Sequence, residues 1–117
     1  MCVKICLVQF RGSRIEVTKW PSGWLVTGEI DASTSETLTQ AFAEVPFRTG
    51  SRIELDLAGV SFIDSTGLGV LLRLAEQVAA VGGTVVIRNP ARAVRRLLAI
   101  TELESMFGLS GREPPPD

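Results

Sequence analysis

Ile15-Glu16-Val17-Thr18-Lys19 alternates apolar with polar side chains, the period of a strand with one buried face. Trp20-Pro21-Ser22-Gly23 reads as a turn, because proline fixes φ and glycine tolerates positive φ. Trp24 to Gly28 resumes the extended pattern, so Ile15 to Gly28 is predicted to form a β-hairpin, with Val3 to Phe10 as a strand of weaker alternation before it. Ser33 and Glu36 have the spacing of a capping box and open a helix whose apolar face is Leu38, Ala41, Phe42 and Val45; Pro46 ends it. Arg52 to Leu57 is the clearest strand, with Ile53, Leu55 and Leu57 on one side and Arg52, Glu54 and Asp56 on the other. Leu68, Leu71, Leu72, Ala75, Val78 and Ala79 recur at helical spacing, and Gly82-Gly83 stops that helix. Thr84 to Ile87 is β-branched throughout and predicts a buried strand. Asn89-Pro90 opens a third helix, with Asn as N-cap and Pro at its first position, and Val94, Leu97, Leu98 and Ile100 as its buried face.

A hairpin followed by helix–strand–helix–strand–helix implies parallel crossovers joined to an antiparallel unit. The predicted class is therefore α/β, a mixed β-sheet packed with about three to four α-helices on one face or both. The length of 117 residues fits a single domain, placed at residues 1–110, and Gly111 to Asp117 reads as a disordered Pro-rich tail.

Composition narrows the function by exclusion. A hydrophobic share of 45% is enough for one ordinary core. The formal net charge of -1, from 12 basic and 13 acidic residues, gives no long-range pull toward nucleic acid or an anionic membrane. No apolar run approaches the roughly 18 residues of a membrane span, and the apolar start is too short for a signal peptide, so a cytoplasmic location is expected. Cys2 and Cys6, if they share a strand, lie about 13 Å apart, beyond disulfide reach, and read as small apolar residues. There is no histidine, which removes Ser-His, Cys-His and His-metal chemistry together. No metal site and no cofactor are expected.

The candidate chemistry lies in Asp64-Ser65-Thr66-Gly67, where a strand gives way to the helix that runs from about Leu68. A first helical turn presents N–H groups and partial positive charge that suit a hydroxyl or phosphate. Gly67 and Gly69 are expected to keep that turn bare, so that another molecule can approach the backbone. The same Asp, Ser and Thr are also ordinary N-cap residues, and local sequence leaves both readings open. The glycines do not make a G-x-G-x-x-G, since Leu72 stands where the third would be, and the Walker A lysine is missing. Asp31 is either the cap of the following helix or a positioning group for the hydroxyl. Arg92, Arg95 and Arg96 read as a solvated basic face, and Glu54 and Asp56 as an exposed strand face rather than a catalytic pair.

Gly28-Glu29-Ile30-Asp31 and Val60-Ser61-Phe62-Ile63-Asp64-Ser65-Thr66-Gly67-Leu68-Gly69 resemble two motifs of the bacterial STAS-domain anti-sigma factor antagonists (anti-anti-sigma factors). Val94 to Leu98 and Ile100 to Leu103 resemble the family's next helix and the turn after it, and the likeness runs from about Ser13 to Phe107. The resemblance implies a STAS-like fold and a regulatory protein rather than an enzyme. It implies phosphorylation at Ser65, with Thr66 as second choice, and a partner surface of Asp31, Asp64, Ser65, Thr66, Gly67, Leu68 and Gly69. It also implies the partners: an anti-sigma factor with a histidine-kinase-like ATPase fold, which is also the kinase, and a PP2C-type phosphatase. The unphosphorylated protein would bind the anti-sigma factor and release a sigma factor. A monomer or weak dimer is expected, without nucleic acid or membrane. The alternative is a non-enzymatic STAS subunit of a stressosome or of a transporter or lipid-transport assembly; a weakly hydrolytic nucleotide-binding protein is a third reading. One departure stands out. The family closes with a further helix after a final short strand; Glu104 to Leu109 could supply that strand, but Ser110 to Asp117 is too short and Pro-rich for the helix.

Overall fold

A computed structural model describes residues 9–11, 14–20, 23–43 and 49–109. The elements run β1 (Gln9–Arg11), β2 (Ile15–Trp20), β3 (Gly23–Ile30), α1 (Ser35–Ala43), β4 (Arg52–Ile63), α2 (Ser65–Ala79), β5 (Thr84–Arg88), α3 (Arg92–Thr101) and a 3₁₀ turn at Glu104–Phe107. Among the described residues they build one five-stranded sheet in the order β1-β2-β3-β4-β5. β1, β2 and β3 pair antiparallel, and β3, β4 and β5 pair parallel. The mixed sheet and the hairpin follow the sequence pattern. Residues 3–8, the turn residues Pro21 and Ser22, Val45, Pro46, both cysteines and the 111–117 segment lie outside the described residues.

Register makes the core continuous. Trp24 stands beside Leu55, and Leu55 beside Ile87, so an apolar row crosses three strands. α1 meets this row through Phe42, whose ring packs edge-on to Trp24 at 4.8 Å and 62°. Leu38 and Ala41 of α1, and Leu71, Leu74 and Val78 of α2, complete the same buried cluster. Each such leucine contributes about 1.5–3 kcal/mol by leaving water.

β4 departs from simple alternation. Leu25 to Thr27 of β3 spans Asp56 to Gly59, and Gly28 to Glu29 spans Val60 to Phe62, so β4 carries one extra residue at each place. A strict period of two from Leu55 and Leu57 would turn Val60 outward. Instead Val60 is buried after the exposed Ala58 and Gly59, and the second bulge, with Ser61 and Phe62 both exposed, restores the phase so that Ile63 is buried. Beside the second bulge Gly28 has φ 108, and a Cβ there would lie 2.2 Å from the Arg14 carbonyl oxygen. Only glycine fits that crossing.

Several expected boundaries move. α1 begins at Ser35, not Ser33, because the Asp31 carboxylate accepts the N–H groups of Ser33 and Thr34 and folds residues 31–34 into a turn. The Ser33 hydroxyl donates to Asp31 at 2.8 Å, so the Ser33–Glu36 capping box does not form. α3 begins at Arg92 with Ala91 as N-cap, not at Asn89. Asn89 adopts φ 52 and donates from Nδ2 to Asp56 Oδ2 at 3.3 Å, which turns the chain before the helix starts. Of the expected α3 face, Val94 and Leu98 are buried and Leu97 partly so, but Ile100 is 71% exposed. Glu104 to Leu109 is not a strand. Met106 N–H bonds to the Leu103 carbonyl at 3.1 Å, and this local turn buries Phe107.

Leu57→Ala, at a fully buried strand position, should lower unfolding free energy by about 2–5 kcal/mol in urea titration. Ile100→Ala should change it by less than about 0.5 kcal/mol.

Candidate functional site

The C-terminal ends of β3 and β4 lie side by side, with Ile30 opposite Ile63. Asp64 leaves β4 in an extended conformation, φ -118 and ψ -174, and its N–H donates to the Ile30 carbonyl at 3.1 Å. The Asp64 carboxylate accepts the Gly67 N–H at 2.9 Å, and its carbonyl accepts the Leu68 N–H at 2.9 Å. Asp64 is therefore the N-cap of α2, and the helix opens at Ser65, earlier than the apolar pattern predicts. The capping role is filled by the aspartate alone. Ser65 and Thr66, the first two helical residues, are exposed.

The two glycines of this turn differ. Gly67 is buried, and a Cβ there would lie 2.4 Å from the Ile30 carbonyl oxygen. Its bareness admits β3, not an incoming molecule. Gly69 has nothing within 4 Å of its would-be Cβ and fits the expectation of an open backbone. Leu68, expected on the contact surface, is 5% exposed and belongs to the core. Of the turn residues anticipated for contact, Ser65 and Thr66 are exposed, and Asp64 and Gly69 are half-buried.

Asp31 follows Ile30 directly and so sits next to this helix start. Its Oδ1 accepts the Ser33 N–H at 2.9 Å, the Ser33 hydroxyl at 2.8 Å and the Thr34 N–H at 3.2 Å. Asp31 thus caps the turn that precedes α1. Arg14 joins the group: its guanidinium bonds to Glu29 and to Ser33 Oγ, and lies 3.4 Å from Asp31 Oδ2. The Ser33 hydroxyl is the largest influence holding the Asp31 carboxyl below its ordinary value of 3.8; partial desolvation opposes it, and Arg14 and the two N–H groups reinforce it. Thr34 is buried, donating from Oγ1 to the Glu29 carbonyl at 2.7 Å and accepting the Asp31 N–H at 2.9 Å.

Arg14, Glu29 and Ser33 were not among the anticipated site residues. Arg14 is three strands from Ser65 in sequence, and only the β2–β3 pairing brings it near; Glu29 carries the one legible signal, its place in Gly-Glu-Ile-Asp. Elsewhere, Glu54 and Asp56 are half-buried rather than an open face. They line a cavity of about 300 Å³ with Trp20, Leu25, Arg88 and Asn89, and Glu54 is ion-paired to Arg52 at 3.7 Å and Arg88 at 3.3 Å. Arg92 and Arg96 are exposed and Arg95 is half-buried. Among the described residues no group of three potential metal ligands converges, and no helix is long and apolar enough to cross a membrane.

The family model described as "Mlab, STAS domain" matches residues 25–109. An anti-sigma-B factor antagonist of Bacillus subtilis is 30% identical over 87 residues, covering 74% of this chain and 79% of that one. One from Listeria monocytogenes is 31% identical over 88 residues, covering 75% and 77%. Among solved structures, an anti-sigma factor antagonist from Mycobacterium paratuberculosis superposes with a TM-score of 0.62 at 29% identity, covering 91% of this chain and 85% of the other. The antagonist SpoIIAA in its unphosphorylated form is similar in fold, with a TM-score of 0.57 at 20% identity and coverage of 86% and 84%.

Gly67→Ala should destabilise the domain by about 1–3 kcal/mol, because backbone of β3 must move, whereas Gly69→Ala should be neutral or stabilising by up to about 1 kcal/mol. Paired thermal melts would separate the two. A lowered Asp31 pKa means that the charged form favours the fold. Its contribution is present above the unfolded value near 3.8 and is lost as pH falls through the lower folded value. Carboxyl NMR titration should therefore give Asp31 a midpoint below 3.8, and Ser33→Ala should move that midpoint upward.

Proposed function

This chain belongs to the STAS-domain family of anti-sigma factor antagonists, and we propose that it switches partners through phosphorylation of Ser65. In the unphosphorylated state it binds an anti-sigma factor and so frees a sigma factor; the phosphorylated state does not bind. The anti-sigma factor, with a histidine-kinase-like ATPase fold, is itself the kinase, and a PP2C-type phosphatase reverses the step. The observation that carries this reading is the division of labour at the start of α2. Asp64 supplies the cap, so Ser65 stands exposed in the first turn with its hydroxyl outside the fold's own framework. Thr66 is the second candidate.

Transfer forms a bond between Ser65 Oγ and the γ-phosphorus of ATP and breaks the bond to ADP; the hydroxyl proton passes to a base of the kinase. The product carries about −1.5 to −2 charges at neutral pH. The N-terminus of α2 tolerates that charge without unfolding, since its N–H dipoles point toward it. Binding is another matter. A serine that accepts phosphate from its own partner must lie against that partner's nucleotide, and the transferred group then faces the nucleotide's remaining phosphates. A penalty of about 3 kcal/mol weakens binding roughly a hundredfold, enough for a switch. Asp31 adds less repulsion than its charge alone implies, because Arg14 stands 3.4 Å from it.

Incubation with ATP and each histidine-kinase-like anti-sigma factor of the source genome, followed by mass spectrometry, should place a phosphate on Ser65. Ser65→Ala should bind the cognate kinase and Ser65→Glu should bind it about a hundredfold more weakly. Equal affinities for the two variants would refute the switch.

A further inference from the structure

Phe62 is an apolar side chain that β4 turns outward. The alternation set by Leu55 and Leu57 points the ring outward, and because the two bulges of β4 add one residue each, their shifts cancel and Phe62 keeps that side. It is 47% exposed, three residues before Ser65. The second bulge lies directly beside it, and bulges recur beside functional sites. The ring also has a defined setting. Phe62 is paired with Glu29 across the β3–β4 ladder, and the Glu29 N–H donates to the Arg14 carbonyl at 2.9 Å, so Arg14, Glu29 and Phe62 form one cross-strand row. The Arg14 guanidinium is engaged by Glu29 and Asp31. Beside the ring, Glu29 and, through their shared Arg14, Asp31 set two carboxylates against one guanidinium, and Asp64 follows two residues after Phe62 in the chain.

We infer that Phe62 is the anchor through which this chain docks on its anti-sigma factor, seating the ring in an apolar socket rimmed by cationic side chains. The inference rests on the Ser65 reading above and adds to it the residue that supplies affinity and the character of the partner's surface. Phe62 and Ser65 are both exposed and three residues apart at the junction of β4 and α2, close enough for one partner surface to meet both. A few anchors seated in well-packed, desolvated pockets carry most of the binding energy of an interface. The carboxylate excess around it selects a basic rim, which also speeds encounter. Ser65 then supplies the veto and Phe62 the hold.

The test titrates the full chain into each ADP-loaded histidine-kinase-like anti-sigma factor of the source genome. Phe62→Ala should weaken binding to the cognate kinase by at least about thirtyfold while leaving the thermal midpoint nearly unchanged. Phe62→Thr, which removes the ring but keeps β propensity, should show the same loss. Should either variant bind within about twofold of the parent while Ser65→Glu still disrupts the complex, the anchor is overturned and the switch survives. No binding of the parent chain to any of these kinases overturns both. Sedimentation that reveals a dimer dissolved by Phe62→Ala assigns the ring to self-association and overturns the inference.

Discussion

The hydrogen bond from Asp64 N–H to the Ile30 carbonyl ties the end of β4 to the end of β3, and most of the site follows from it. It fixes where the helix starts, since the residue that donates it also caps α2. It brings the first turn of α2 so close to Ile30 that a glycine is required at position 67. It also places Asp31, the next residue after Ile30, beside that turn. One contact between two backbone segments thus sets the position of the serine, the cap and the acidic loop. The side chains then divide the work: Asp64 satisfies the backbone, Asp31 shapes the loop, Arg14 restrains the charge, and Ser65 stays outside.

Much of the architecture was legible because its signals are local. The alternation of Ile15 to Lys19, the β-branched run Thr84 to Ile87 and the helical spacing from Leu68 each report on a single element, and each element formed. The errors fall where the pattern of one element does not report what its side chains meet. Ser33 has a capping-box partner in sequence, but the carboxylate of Asp31 takes its N–H and its hydroxyl first. Asn89 has the chemistry of an N-cap, but Asp56 on the neighbouring strand holds its side chain and the chain turns before the helix. Ile100 fits a helical apolar face by spacing, yet among the described residues it stays 71% exposed.

Within the site, the hydroxyl-bearing turn could be read directly, but its orientation could not. Gly67 and Leu68 looked like contact surface because small and apolar residues beside a serine suggest an approachable backbone; the close β3 crossing turns them inward. Arg14 and Glu29 escaped notice because their proximity is a property of strand register. The bulges of β4 could not be read from the sequence, and their effect falls on Val60, which they turn inward, while Ile63 and Phe62 keep the sides that the alternation of Leu55 and Leu57 gives them.

The sheet changes character at β3. On one side lie antiparallel neighbours separated by two or three residues; on the other are parallel neighbours, which require crossovers through α1 and α2. Ile30 and Asp64 face each other across that seam, so the docking face is absent from any chain that has made only its hairpins. Closing a long crossover is the slow, entropically costly part of such topologies. On the proposed docking role, a molecule that has not yet joined β3 to β4 would lack the surface its partner reads, and binding would report that this crossover has closed.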